Sequence, residues 1–293
     1  MPEDKKAARP SADSATGADA GPTGGGAGLA LRNFVRRSPA LTGIGVRALG
    51  RVQALRDRGL SSGARWRRRA PDESRYWIDA LQSPDARTRF ADRLDPEAEI
   101  TDPALRPAVA EIDATEVSIL DVGSGPLTAV GGTYPGKRIE VVAIDPLAED
   151  YTRILRDLRF DPPVYPVACA GEDIVERFGE GAFDVSFALN ALDHSVDPML
   201  VLDNMIAAVS PAGRVALTHM RNEGERNGYF GIHFWNIDCR DGRFVIWNRD
   251  VEHDVGARLG GDFETECWTS EGDRVHCMIR PARRGAAPAE PPG

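Results

Sequence analysis

The chain has only four cysteines, Cys169, Cys239, Cys267 and Cys277, and no two of them form a Cys-x-x-Cys pair. Of the histidines, only His276 stands beside one of them, Cys277. That spacing excludes a disulfide framework or a zinc ribbon, and four reduced thiols in a cytoplasmic protein are expected. Long apolar runs are also missing: none approaches the ~20 residues of a membrane-spanning helix. The first 25 residues hold no hydrophobic stretch, which speaks against a secretory signal. Arg36 and Arg37 precede a mildly apolar segment, but Arg47 and Arg51 interrupt it, so a twin-arginine export signal is not expected either.

The net charge of −9 is unevenly divided: residues 1–70 carry 14 Lys and Arg against five Asp and Glu, and the remainder 22 against 40. A basic leader on an acidic body leaves the body without a broad positive footprint, so no nucleic-acid partner is expected. With 42% hydrophobic and 28% charged residues, the chain can bury the core of one large α/β domain with extensions.

Residues 1–27 are rich in Ala, Gly, Ser, Asp and Pro and are expected to be a disordered leader, because nothing there offsets the entropy of ordering. Residues 28–70 form a basic, partly helical arm, in which Leu29, Phe34, Leu41, Val46, Leu49 and Leu55 are interleaved with arginines and divided by Pro39 and Gly43. Residues 28–69 could serve as a peripheral contact with an anionic membrane, or pack on the body or a partner subunit. The interruption and the lack of an aromatic anchor favour packing.

The globular domain spans residues 71–281. Its N-terminal helices, over 71–114, begin at Pro71-Asp72-Glu73 and carry Tyr76, Trp77, Ala80 and Leu81, with a second short helix over 84–94. Strands then alternate with helices: strands at 117–122, 139–144, 164–168, 183–189 and 214–219, helices at 148–160, 172–178 and 198–209. The last helix is expected to bury Leu200, Val201, Met205 and Ile206, and a turn at Pro211-Ala212-Gly213 to lead into the fifth strand. Residues 263–268 and 274–280 read as an antiparallel hairpin, and residues 282–293 as a disordered tail.

The segment 117–126, VSILDVGSGP, puts Asp121 at the end of a buried strand and follows it with Gly123, Ser124 and Gly125. Glycines there let the backbone turn sharply and approach a ligand at the carboxyl end of a parallel sheet. A dinucleotide fingerprint wants a third glycine at position 128, which is Thr128, and Pro126 follows the loop directly. The site is therefore built for a nucleoside without a pyrophosphate. Asp145 ends the second strand 20 residues after Gly125, the offset of an acid that binds ribose hydroxyls.

These segments together resemble the class I S-adenosylmethionine-dependent methyltransferases, most closely the subgroup called type 11, over about residues 115–220. The resemblance implies an α/β, Rossmann-like, seven-stranded and mostly parallel sheet. The residues place beside it a C-terminal antiparallel hairpin, a helical N-terminal extension and, as a departure from a minimal member of the family, a β-hairpin inserted after strand five. The resemblance also implies S-adenosylmethionine as cofactor, held by Asp121, Gly123, Ser124, Gly125 and Asp145. An acid after strand three would face the adenine, Glu172 first and Asp173 as the alternative. Segment 190–198, NALDHSVDP, is similar to the family's Asn-x-Leu-Glu-His segment, with Asp193 in place of Glu, and would set Asn190 and Ala191 beside the methionine end. In this family an aromatic helix before the first strand lids the cofactor, a role open to Arg75, Tyr76 and Trp77 alongside plain core packing.

Methyl transfer to a hydroxyl needs alignment, a dry pocket and a base. His194 is the first candidate base, with His219 and Glu223 as rivals. The insertion at 220–248 adds Asn222, Tyr229, His233, Trp235 and Asn236, a mixture of rings, amides and histidine that suits a small-molecule or glycan-like, polyhydroxylated acceptor. The alternative for these residues is a structural hairpin, turned at Asp241-Gly242. No ligand set has a diagnostic metal spacing, so no metal is expected. Two other functions share the layout: a non-catalytic S-adenosylmethionine-binding or interaction protein, and an NAD-dependent oxidoreductase.

Overall fold

A computed structural model describes residues 39–282, and the leader at 1–27, the first part of the arm and the tail after residue 282 lie outside the described residues. The chain divides into two units, Met1–Thr42 and Gly43–Gly293. Of the first, only the opening of the helix Pro39–Arg56 is described. Everything that follows concerns the second.

Its strands are β1 (Glu116–Val122), β2 (Thr133–Tyr134), β3 (Lys137–Asp145), β4 (Val167–Ala168), β5 (Phe183–Leu189), β6 (Val209–Met220), β7 (Asn236–Arg240), β8 (Arg243–Trp247), β9 (Glu252–Asp254), β10 (Phe263–Ser270) and β11 (Arg274–Pro281). The main sheet runs β10-β11-β6-β5-β1-β3-β2, with β4 also on β3. Strands β4, β3, β1, β5 and β6 are mutually parallel, and β10–β11 closes the β6 edge as an antiparallel hairpin. This is the expected Rossmann-like sheet, with the two-residue β2 as an eighth strand.

The central strands are mostly apolar because both faces are covered. One face packs the helices Ile174–Phe178 and Pro198–Ala208 and the β7–β8 hairpin through Leu202, Met205, Leu217, Ile237 and Phe244. The other packs the helix Leu105–Ala110 against Val117, Ile119, Val185 and Phe187. A smaller cluster joins Leu81, Phe90, Leu127, Tyr151 and Leu155.

Several boundaries moved, each for a local reason. The helix expected over 148–160 ends at Asp157 in a Schellman motif. There Arg159 is left-handed (φ 57°), Phe160 N–H donates to Leu155 O at 2.8 Å and Arg159 N–H to Arg156 O at 3.1 Å. The strand expected over 164–168 is reduced to Val167–Ala168, since Pro166 has no N–H for a ladder. The turn at Pro211-Ala212-Gly213 is absorbed into β6 as an irregularity, where register jumps from Phe183↔Val209 to Val185↔Arg214. In the helix Pro198–Ala208, Val201 and Met205 are buried as expected, but Leu200 is exposed and Met199 and Leu202 are buried in its stead.

Pro71 does not open a helix. It sits inside the helix Ser62–Leu81, whose N-cap Ser61 accepts from Ala64 N–H at 3.2 Å, so the division expected at residues 70/71 falls within one helix. The arm from Arg47 onward packs on the insertion. Arg69 is buried, forms an ion pair with Asp57 at 2.6 Å, and donates to the carbonyls of Tyr229 (3.1 Å) and Gly231 (2.7 Å). Gln53 Oε1 accepts from Gly231 N–H at 2.9 Å. Among the described residues, no helix is long and apolar enough to cross a membrane.

The insertion is a three-stranded sheet, β7-β8-β9, rather than a lone hairpin. Its first turn is the expected one, with Asp241 and Gly242 both at positive φ.

Candidate functional site

From β1 the chain winds outward through β3 to β4, then returns to the centre and winds the other way through β5 and β6. The crevice between the carboxyl ends of β1 and β5 is therefore the topological switch point, where open parallel sheets bind ligands. The glycine loop leaves β1 there. Gly123 and Ser124 donate to Ile144 O at 2.8 and 3.1 Å, pinning the loop to the end of β3.

Gly123 and Gly125 are both left-handed, at φ +71° and +64°. A methyl group on Gly123 would sit 2.4 Å from Cβ of Ala191, and one on Gly125 would sit 3.0 Å from the ring of Trp77. The loop thus touches the post-β5 segment on one side and the aromatic of the N-terminal helix on the other. Trp77 also packs against Tyr76, Phe90 and Tyr151, the core packing that was one of its two expected roles. After the loop, residues 123–132 form turns and coil rather than a helix.

Asp145 is buried and accepts two main-chain bonds, from Gly125 at 3.1 Å and Leu147 at 2.8 Å. Burial raises its carboxyl to about 6 against the pull of those two amides. Asp121 is buried beneath the loop and accepts from the Thr128 hydroxyl at 2.6 Å. Burial raises it to about 6 as well, opposed by that bond and by the Arg93 charge. Thr128, the residue that breaks the dinucleotide fingerprint, is thus the partner of Asp121.

Glu172 is committed to the loop before the helix Pro198–Ala208. Its Oε1 accepts from Val196 and Asp197 N–H at 3.0 and 3.1 Å, while Asp173 is exposed. Asn190 is left-handed (φ 52°), and its Oδ1 accepts from Met220 N–H at 2.7 Å, clamping the end of β5 to β6.

Next to Ala191, the 3-10 turn Leu192–His194 presents Asp193 and His194 to His233 of the insertion. His233 Nδ1 lies 2.8 Å from Asp193 Oδ2 and 3.0 Å from His194 Nε2, and His194 Nε2 lies 3.3 Å from Asp193 Oδ2. Glu223 Oε2 is 3.9 Å from the same His233 nitrogen. Asp193 is buried, whereas the two imidazoles are 22% and 25% exposed. Burial raises Asp193 to about 6 and lowers His194 to about 4, the second opposed by the Asp193 charge.

Of the three candidate bases, His194 and Glu223 stand in this cluster. His219 does not: it is 1% exposed, neither ring nitrogen has a hydrogen-bond partner, and burial lowers it to about 3. A side chain sealed in this way cannot exchange a proton with an acceptor in the crevice.

Of the insertion residues expected to meet substrate, His233 is the one in the cluster. Asn236 is fully buried, its Oδ1 accepting from Glu225 N–H and its Nδ2 donating to the Tyr229 hydroxyl at 2.7 and 2.8 Å, so its amide is spent on the insertion itself. Asn222 accepts from Trp247 Nε1 at 3.1 Å, and the ring of Trp235 packs toward His253 and the core. For these residues the structural alternative describes what is seen. The residue that sequence reasoning passed over is Asp193, noted only as a substitution for Glu. The signal was its place directly before His194, in a loop expected beside the cofactor.

No protein-family model matches the chain, and no curated protein matches it. Among solved structures it is similar to a DhpI–SAH complex, with 15% identity over 72% of this chain and 96% of that one and a TM-score of 0.39. It is also similar to the 1,6-didemethyltoxoflavin-N1-methyltransferase of Burkholderia thailandensis bound to S-adenosylhomocysteine, with 17% identity, 73% and 88% coverage and a TM-score of 0.37. An rRNA methylase from Streptococcus thermophilus is 12% identical over 61% of this chain and 94% of that one, with a TM-score of 0.36.

Proposed function

We propose that this protein is an S-adenosylmethionine-dependent methyltransferase that methylates a hydroxyl of a small-molecule or glycan-like acceptor. The observation that carries the reading is the junction of Gly125 and Asp145 at the switch point, under Trp77. Each Asp145 oxygen accepts one amide and keeps lone-pair capacity for a ribose hydroxyl. The loop runs on into turns, so a pyrophosphate finds no helix N-terminus there, which disfavours a dinucleotide. By the family resemblance, Gly123, Ser124 and Gly125 take the methionine part, with Asn190 and Ala191 beside it.

The reaction is an in-line displacement. The acceptor oxygen forms a bond to the methyl carbon as the bond to sulfur breaks, and the sulfonium becomes a neutral thioether. The acceptor proton leaves toward Glu223, which stands 3.9 Å from His233 Nδ1 in the cluster that adjoins the Ala191 segment. Alignment and exclusion of water supply most of the rate. The acidic body offers no basic track for a nucleic-acid acceptor.

Calorimetric titration with S-adenosylmethionine, S-adenosylhomocysteine and NAD in parallel tests the reading. Saturable one-site binding of the first two, lost in Asp145→Ala, is the expected result. Binding of NAD alone overturns it, and binding of none of the three points to a fold retained without catalysis.

A further inference from the structure

The three donor atoms of Asp193, His194 and His233 form a nearly equilateral triangle, with edges of 2.8, 3.0 and 3.3 Å. Hydrogen bonds alone satisfy such a triangle poorly. A neutral imidazole carries one N–H, so a single proton on His233 Nδ1 serves one edge well and leaves lone pairs of His194 and Asp193 facing each other. Protons on both ring nitrogens would both point at Asp193 and leave two donors opposed across 3.0 Å. A cation seated above the plane of the triangle satisfies all three atoms at once.

We propose that Asp193, His194 and His233 are three facial ligands of a divalent first-row transition-metal ion whose open positions receive oxygens of a polyhydroxylated acceptor. Three ligands on one face of an octahedron with bonds of about 2.1 Å stand roughly 3.0 Å apart, close to the mean edge of this triangle. Two imidazoles and one carboxylate, with room for further ligands, select a transition metal over calcium or magnesium. Asp193 is buried and the two imidazoles are only partly exposed, so the three donor atoms sit at the edge of the packed interior.

The ligands are held before any ion arrives. The carbonyl of Asp193 accepts from Phe234 and Trp235 N–H at 2.9 and 3.2 Å, which ties the 3-10 turn to the coil before β7 that carries His233. The carbonyl of His194 accepts from Trp66 Nε1 at 3.0 Å, so the arm buttresses the same turn. Glu223, 3.9 Å from the His233 nitrogen and bonded to Asn227 Nδ2 at 2.8 Å, stands at the edge of the triangle. It is the group placed to take the proton of a metal-bound hydroxyl as its oxygen is methylated. The ion's role in orienting the acceptor rests on the methyltransferase reading, whereas the site itself does not.

The test uses the full chain stripped with chelator and titrated with Mn2+, Co2+ and Zn2+ separately, by calorimetry and by electron paramagnetic resonance for Mn2+. One saturable ion per chain is expected, with nitrogen hyperfine coupling from two imidazoles. His233→Ala and Asp193→Asn are expected to weaken binding by on the order of 100-fold. Should either variant fail to fold, the imidazole coupling in the unmodified protein still decides the matter. Absence of binding by all three ions, or binding without imidazole coupling, overturns the site. A parallel titration with S-adenosylmethionine separates the two readings: metal bound by a protein that ignores this cofactor keeps the site and removes the methyltransferase.

Discussion

The main-chain N–H of Gly125 donates to Oδ2 of Asp145 across 3.1 Å, joining the end of the first strand's loop to the end of its parallel neighbour. One bond thereby couples the shape of the glycine loop to the acid that would hold a ribose. Replacing Asp145 by Ala removes the proposed ribose acceptor and leaves the buried Gly125 amide and the half-buried Leu147 amide without their partner. S-adenosylmethionine affinity is expected to fall by roughly 100-fold, at about 1.5–3 kcal/mol for a hydrogen bond to a charged group. Titration calorimetry checks this, with circular dichroism as the control for folding.

Gly123→Ala is expected to destabilise the protein by about 2–4 kcal/mol. The left-handed backbone costs ~1–2 kcal/mol, and the new methyl would lie 2.4 Å from Cβ of Ala191. Adding Ala191→Gly relieves the collision but not the backbone cost, so the double variant should recover only part of the loss in urea denaturation.

Asp121→Asn should show a stability difference from the unmodified protein that changes with pH. Burial raises the folded-state carboxyl to about 6 from an ordinary 3.8. Above pH 6 the folded protein bears the whole cost of burying the charge. As pH falls from 6 towards 4 the folded state takes up a proton before the unfolded state does, and the cost is relieved. The unmodified protein therefore gains on Asp121→Asn over that window, by roughly 3 kcal/mol at most. Denaturation curves of both proteins at pH 8 and pH 4.5 measure it, and an unchanging gap would contradict the assignment.

Arg69→Met leaves buried Asp57 with only its longer ion pair to Arg68, at 3.6 Å, and frees the Tyr229 and Gly231 carbonyls. A loss of about 3–5 kcal/mol is expected, the usual result of removing one partner of a buried pair. Because Arg69 joins the arm to the insertion, limited proteolysis should cut between residues 47 and 61 faster in the variant than in the parent.

Much of this protein is determined by local pattern. Segments such as Ile119–Val122 and Val185–Ala188, apolar but for Asp121 and Ser186, suit a strand covered on both faces. The Gly123–Gly125 loop, the offset to Asp145 and the Asp241–Gly242 turn follow from backbone sterics that act within a few residues. Other features depended on contacts that sequence spacing does not encode. Pro71 lies inside a helix because Arg69, Trp66 and Trp77 anchor that helix to the insertion, the turn after β5 and the glycine loop, and tertiary bonds override a local stop signal. Asn222 and Asn236, polar enough to suggest substrate contacts, were claimed by a hairpin that needed partners for its own buried groups. Asp193 and His233 are separated by 40 residues, too far for any ligand-spacing rule. They meet because β6 returns the insertion across the carboxyl end of β5, and that encounter was decided by the tertiary structure alone.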